Sequence, residues 1–400
     1  MLINLRNALM AGKRLPYDAE VEYLQSSGTQ YINTGVKFTA DNARVKFTAS
    51  VTYASDKALC GSQNHSAENN YGFVCYLYSN AMRIYAGTSN TGATASLVDG
   101  NAHTVDLQAN SGTLTKTIDG TISTHNYNGT IVSGEDFTIF TSWRVSGSSM
   151  TARCVSAKIY AFQIWNNGVL VRDYIPVRKG TVGYLYDRVS GKLFGNAGSG
   201  DFVLGPDVVP VEYIESHGTE WIDTGVDASL CNTEEMTIKC NFAVTGTGGP
   251  GGQYNGVFGA AVPRFGVYTI GQNLSWGYYA PHDNVKSFTF GNWVDSTCVF
   301  SKNNQSATFD EETFTASNPT VLTSLNIGFF CRNVATGPQW LALARIKNCD
   351  IEATSARRHF RAVRVGTEGA MMDVLTRRIY RNAGTGAFAY GNDLKYPIPA

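Results

Sequence analysis

Charge is scarce in this sequence and has no preferred sign. Only 16% of the 400 residues are Asp, Glu, Lys or Arg, and 32 basic residues cancel 32 acidic ones; an average soluble domain carries about 25%. With no long-range basic field, neither nucleic acid nor an anionic membrane is expected as a partner. No stretch approaches the roughly 18 consecutive apolar residues of a membrane-spanning helix. The opening Met1-Leu2-Ile3-Asn4-Leu5-Arg6-Asn7-Ala8-Leu9-Met10 lacks the unbroken apolar run of a secretory signal. The expectation is a chain made and kept soluble. Cys-x-x-Cys spacings and Cys/His clusters are missing, which argues against zinc, and helical periodicity is almost absent. Disorder is excluded by what is present: hydrophobic residues make up 43%, including 20 Phe, 21 Tyr and 6 Trp, enough apolar surface to offset the entropy of ordering the chain.

The dominant feature is an internal repeat. Val21-Glu22-Tyr23-Leu24-Gln25-Ser26-Ser27-Gly28-Thr29-Gln30-Tyr31-Ile32-Asn33-Thr34-Gly35-Val36 returns as Val211-Glu212-Tyr213-Ile214-Glu215-Ser216-His217-Gly218-Thr219-Glu220-Trp221-Ile222-Asp223-Thr224-Gly225-Val226. A closing block from Asp187 through Phe194-Gly195-Asn196-Ala197-Gly198-Ser199-Gly200 to Phe202 returns from Asp373 through Tyr380-Arg381-Asn382-Ala383-Gly384-Thr385-Gly386 to Phe388. Arg172 before the first block corresponds to Arg358 before the second. The simplest account is a short arm, residues 1–16, followed by two copies of one domain, residues 17–206 and 207–400. Cys60, Cys75 and Cys154 fall in the first copy and Cys231, Cys240, Cys298, Cys331 and Cys349 in the second, at positions that do not correspond. A bridge that defined the fold would recur in both copies, so these are read as buried thiols.

Within each copy apolar residues alternate with polar ones, as in Arg44-Val45-Lys46-Phe47-Thr48 and Met236-Thr237-Ile238-Lys239-Cys240, with Gly and Asn turns at short intervals. This pattern predicts an all-β antiparallel sandwich. Only Leu2 to Ala11, with Leu5 and Leu9 at i, i+4 and Gly12 behind them, suggests a short helix.

The opening and closing blocks resemble a family of concanavalin A-like (laminin-G-like) jelly-roll domains that is abundant in bacteriophages and prophages of gut bacteria and in cell-surface proteins of those hosts, so a bacterial surface lectin or adhesin is the alternative expectation. The resemblance covers nearly the whole chain twice, and the leader from Leu5 to Glu20 is more weakly similar to the start of phage structural proteins of this kind. It implies two tandem jelly-roll β-sandwiches used for display or carbohydrate binding. The expected protein is a non-enzymatic virion component, a head decoration, head fibre or tail-associated protein, assembled in the bacterial cytoplasm and exposed on the particle. Its arm, with Leu5, Leu9 and Arg14, would attach to other virion proteins, and it would occur in many copies or as a homo-oligomer.

Chemistry beyond display finds little support in the residues. A glycan hydrolase needs two carboxylates about 5–5.5 Å apart for retention, yet Asp310-Glu311-Glu312, Glu234-Glu235 and Glu135-Asp136 are adjacent acids suited to turns. No catalytic residue is assigned. Gly246-Thr247-Gly248-Gly249-Pro250-Gly251 fits a phosphate-loop pattern but precedes no helix, and reads as a hairpin loop. Gly198, Gly200, Gly384 and Gly386 are read as turn glycines with positive φ, Asn196 and Asn382 as turn formers, and Asp187 and Asp373 as strand-end carboxylates paired with Arg172 and Arg358. For a sugar, which wants an aromatic face with amides and acids beside it, the best local match is Trp276, Tyr278, Tyr279, His282, Asp283 and Asn284. The polar loop from Asn64 to Tyr71 is a weaker match. No cofactor is expected; calcium occurs in relatives, and Asp283, Asp295 and Asp310 offer oxygens, but no spacing defines a metal site.

Overall fold

The computed structural model describes residues 15–52, 55–62, 72–79, 81–94, 97–132, 134–146, 149–248, 254–260, 264–317 and 322–398; among these, side chains are not described for 91–94, 144–146, 149–151, 264 and 278–282. The arm with Leu5, Leu9 and Arg14 lies outside the described residues, as does the whole of the loop from Asn64 to Tyr71. Two compact units divide the chain, Met1–Asp207 and Val208–Ala400. Among the described residues there is no α-helix, and a short 3-10 turn spans Ala228–Asn232.

Each unit is a jelly-roll sandwich of two antiparallel sheets. In the first, the larger sheet runs in the spatial order Thr121–Asn126, Thr113–Ile118, His103–Asn110, Asn42–Ser50, Ser156–Asn166, Val169–Lys179, Val182–Asp187, Lys192–Phe194. The smaller sheet runs Ile32–Asn33, Thr138–Ile139, Lys57–Ser62, Phe73–Tyr78, Ala81–Ala86, Ser89–Thr94. The second unit repeats the order of the larger sheet, Glu312–Ala316, Gln305–Phe309, Val294–Phe300, Met236–Val244, Leu343–Glu352, Arg357–Val365, Glu368–Asp373, Ile379–Tyr380, and the first five strands of the smaller one, Ile222–Asp227, Asn326–Phe329, Tyr254–Ala260, Arg264–Ile270, Asn273–Ser287.

The alternation read from the sequence explains the layers. Ala43, Val45, Phe47 and Ala49 are buried along one strand while the residues between them are mostly less so, because successive side chains leave opposite faces of a strand. The chain passes repeatedly between the sheets, so the loop after Val244 joins the larger sheet to the smaller one and is not a hairpin. Rings from the two sheets meet in the core, as Phe265 of the smaller sheet does Phe300 of the larger at 4.4 Å between centroids. Each such buried ring contributes roughly 1.5–3 kcal/mol.

The unmatched cysteines follow from how each core is filled. In the first unit Phe47 and Phe162 are cross-strand partners with rings stacked at 5.3 Å. In the second, Cys240 and Cys349 are partners at the same place in the sheet order, and the bulky Phe300 is opposite Met236 where Ala109 is opposite Ala43. Volume is redistributed rather than lost. All eight cysteines are buried and unbridged.

The repeated end blocks lock to one another across the whole length of a unit. The Asn196 side-chain oxygen accepts from the Tyr31 amide at 3.1 Å and the Gly198 amide at 2.8 Å. Asn382 does the same for Trp221 and Gly384, at 3.1 and 2.8 Å. Gly200 and Gly386 have positive φ as expected, 73° and 82°. Gly198 and Gly384 do not; they are required for a different reason, since a Cβ there would stand 2.1 Å from the carbonyl oxygen of Thr29 or Thr219. Asp187 and Asp373 are fully buried, accept backbone amides of their own turns, and approach Arg172 and Arg358 at 3.8 Å. The first unit ends at Asp207, whose carboxylate takes two bonds from Arg178, just as Asp393 does from Arg364.

Candidate binding surface

Of the six residues singled out for sugar binding, Trp276 is fully buried in the core of the second unit. Its strand places Leu274 and Trp276 on the inward face, so the ring packs between the sheets and offers no platform. That corrects the expectation. The side chains of Tyr278, Tyr279 and His282 lie outside the described residues. Asp283 and Asn284 are exposed; Asn284 takes a left-handed φ of 57° and its amide donates to Ser275 Oγ at 3.0 Å. Asp283 accepts from the Tyr268 hydroxyl at 2.5 Å, and through Tyr268 it joins a larger aromatic cluster.

The cluster draws on residues distant in sequence. Tyr254 stacks on Trp340 with centroids 4.7 Å apart and planes inclined by 15°, and Tyr268 meets the same indole at 5.2 Å. Above that ring lies the Arg332 guanidinium, 3.8 Å from its centroid, a cation–π contact. Trp340 is held in a left-handed backbone conformation, φ 53°, which a bulky residue adopts only under constraint. The constraint is visible: its carbonyl accepts from the Gly256 amide at 2.7 Å, and a Cβ on Gly256 would stand 2.5 Å from the Cys331 carbonyl carbon. Trp340 itself is half-buried.

The first unit carries a cluster at the corresponding place. Tyr76 follows Cys75, which is partnered with Cys60, as Tyr268 follows Val267 in the matching pair of strands. Like Tyr268 it donates its hydroxyl to an aspartate, Asp56, at 2.5 Å. Burial and this bond push the Tyr76 phenol up to about 12. Where the second unit has Trp340, the first has Arg153: each lies two residues before a backbone amide, of Ala342 or Val155, that donates to Phe330 or Phe140. Arg153 stands 4.7 Å over the Tyr76 ring and 3.4 Å from Asp56. Tyr78 and Tyr85 flank Tyr76 at 6.3 and 5.9 Å, and Arg83 sits 4.9 Å over Tyr78, which is 44% exposed.

Both units therefore hold a tyrosine bonded to an aspartate among rings and guanidinium groups on the smaller sheet; Tyr268 itself is buried and Tyr76 half-buried, so what reaches solvent is Tyr78 in the first unit and the half-buried Tyr254, Trp340 and Arg332 in the second. Such a surface can pack on the apolar face of a sugar ring while offering N–H and O–H donors at its edge. Sequence reasoning found Asp283 and missed Tyr254, Tyr268, Arg332 and Trp340 in one unit and Tyr76, Tyr78, Arg83 and Arg153 in the other. The only local signal was the alternation Tyr76-Leu77-Tyr78; the remaining partners meet through strand register. Among the described residues no three His, Cys, Asp or Glu side chains converge to hold a metal ion, and no helix is long and apolar enough to cross a membrane.

What the sheet orders define is a β-sandwich of jelly-roll type. No family model matches the chain, and no curated protein matches it in sequence. Among solved structures it is similar to domains LG4–5 of the mouse laminin α1 chain, with 14% identity over 86% of this chain and 93% of that one and a TM-score of 0.33. The LG1–3 region of the laminin α2 chain is similar at 10% identity, covering 94% of this chain and 66% of that chain, TM-score 0.32. A pentraxin from Limulus polyphemus is similar at 11% identity over 46% of this chain and 93% of that chain, TM-score 0.29. Likeness at this level carries no weight for function, and the jelly-roll assignment rests on the sheet orders above.

Proposed function

We propose that this chain is a non-enzymatic structural protein of a bacteriophage particle, a head decoration, head fibre or tail-associated protein, whose two lectin-like units contact host or mucus glycans. The observation that carries the reading is the contrast between scaffold and surface in the two units. Strand order, end-block locks and buried carboxylates are repeated, whereas the aromatic cluster keeps its tyrosine and aspartate but exchanges Arg153 for the half-buried Trp340 around them. A constant frame with a varied exposed surface suits display and recognition, and the resemblance of the end blocks supplies the phage setting.

On this hypothesis the arm with Leu5, Leu9 and Arg14 attaches to other virion proteins, and the units face outward after assembly in the bacterial cytoplasm. Many copies, or a homo-oligomer, convert weak contacts into useful avidity. The proposal invokes no cofactor.

The test is immunogold labelling of phage particles from the producing bacterium, using an antibody against the second unit and negative-stain electron microscopy. Gold on heads or tails is the expected result. Gold absent from particles but present on the cell envelope would overturn the virion reading in favour of a bacterial surface lectin.

A further inference from the structure

A second site lies away from the aromatic clusters, where the opening block of the first unit meets its closing block. A cleft of about 560 Å³ is lined by Asn33, Thr34, Gly35, Arg172, Ser190, Lys192, Leu193 and Phe194, within the range of small-molecule sites, ~300–1,000 Å³. Arg172 is its fixed element. Nε donates to the Thr34 carbonyl at 3.1 Å and Nη1 to the Val171 carbonyl at 2.8 Å, so the Nη2 edge is the part left to bind. Beneath, Asp187 is 3.8 Å from Nε, but its oxygens already accept the Asp173, Val189 and Ser190 amides and the Ser190 hydroxyl. Exposed Lys192 adds a second positive charge, with no ion-pair partner among the described residues.

We infer that this cleft binds an acidic sugar of uronic-acid type, its single carboxylate between Arg172 Nη2 and Lys192 and its hydroxyls toward Asn33 and Ser190. One free guanidinium edge suits one carboxylate oxygen better than the two-pronged grip that phosphate invites. A dianion would also face the negative charges of Asp187 below and Asp136 at the rim, where Asn33 Nδ2 donates to Asp136 at 2.9 Å. Leu193 and Phe194 form the apolar wall, with Arg172 fixed 5.3 Å over the Phe194 ring.

The second unit shows why the site is particular to the first. Arg358, Thr376, Arg378 and Tyr380 occupy the places of Arg172, Ser190, Lys192 and Phe194, but Asp223 stands where the first unit has Asn33, and its Oδ2 accepts from Asn326 at 3.2 Å. A carboxylate on the lining loop would repel the anion that the amide of Asn33 admits.

Isothermal titration of the full chain with glucuronic acid, glucose and inorganic sulfate, at one pH and ionic strength, tests this. Glucuronate is expected to bind in the millimolar range, and glucose and sulfate at least about tenfold more weakly. The paired exchange Asn33→Asp with Asp136→Asn keeps the bond that the second unit already makes with its partners reversed, and should weaken glucuronate about tenfold without lowering the melting temperature. Lys192→Gln, at an exposed position, should weaken it severalfold, and Arg358→Gln should leave it unchanged. Equal binding of glucose and glucuronate, no glucuronate binding, or an unaltered affinity in both first-unit variants would overturn the inference; sulfate binding as tightly as glucuronate would reduce the cleft to a simple anion site and overturn the sugar assignment. None of these outcomes depends on where the protein sits on a particle.

Discussion

Asn33 and Asp136 share a hydrogen bond of 2.9 Å in the first unit, and in the second the same bond is made with its ends exchanged, Asn326 donating to Asp223 at 3.2 Å. One carboxylate and one amide are kept at this junction of loop and strand, and only their order differs. Asn33→Asp alone would set two carboxylates against each other and is expected to destabilise the first unit by about 1 kcal/mol at neutral pH. Adding Asp136→Asn should restore that loss. A double-mutant cycle by urea unfolding checks the coupling; strictly additive effects would show that the pair contributes nothing.

Gly198 and Gly384 close the locks. With a Cβ placed 2.1 Å from a backbone oxygen, Gly198→Ala and Gly384→Ala must shift the loop, and each is expected to destabilise its own unit by more than about 2 kcal/mol. Gly134→Ala, where nothing lies within 4 Å, should be neutral within roughly 0.5 kcal/mol. Thermal unfolding of the three variants decides the matter, and an unperturbed Gly198→Ala protein would show that the turn relaxes freely.

His103 gives the first unit a pH-dependent element. Burial alone would lower its pKa, but Nδ1 lies 2.6 Å from Asp119 and Nε2 2.9 Å from Asp99, and these contacts raise it. A histidine raised in the folded state contributes stability that is fully present below its unfolded value, about 6.5, and is lost as the pH climbs through the higher folded value. The melting temperature of the first unit should therefore fall as the pH rises above about 6.5 in the native sequence, and the fall should be smaller in His103→Gln. Parallel curves for the two proteins would remove His103 from the account.

The buried thiols should be inert in the folded protein. Burial pushes the Cys231 thiol up to about 12, and drives Cys298 and Cys331 upward as well, which suppresses the reactive thiolate. At pH 8 a thiol reagent is expected to find no fast-reacting group until denaturant exposes all eight cysteines. A rapid native reaction of any one would contradict the burial described here.

Much of the frame is legible along the chain because it is set by local rules. Alternating residues such as Val45, Phe47 and Ala49 mark strands, and the repeated Asn-Ala-Gly block marks a turn whose chemistry is local. The reason for Gly198 was misread, since the demand there comes from the Thr29 carbonyl, about 170 residues earlier, and no neighbouring residue reveals it. Trp276 was misplaced for a related reason. Period-two alternation tells which residues share a face, but register against the neighbouring strands decides which face meets the core.

By itself, then, the sequence determined the duplication, the strand-rich character of each unit and the residues that close its ends, because each follows from spacing and turn chemistry within a few residues. Tertiary structure alone decided which rings reach the surface and which charges stand together. Trp340 meets Tyr254, and Arg172 meets Asn33, only because strands far apart in sequence pair in one register. Contacts between such strands are fixed by packing the whole core, and no local pattern encodes them.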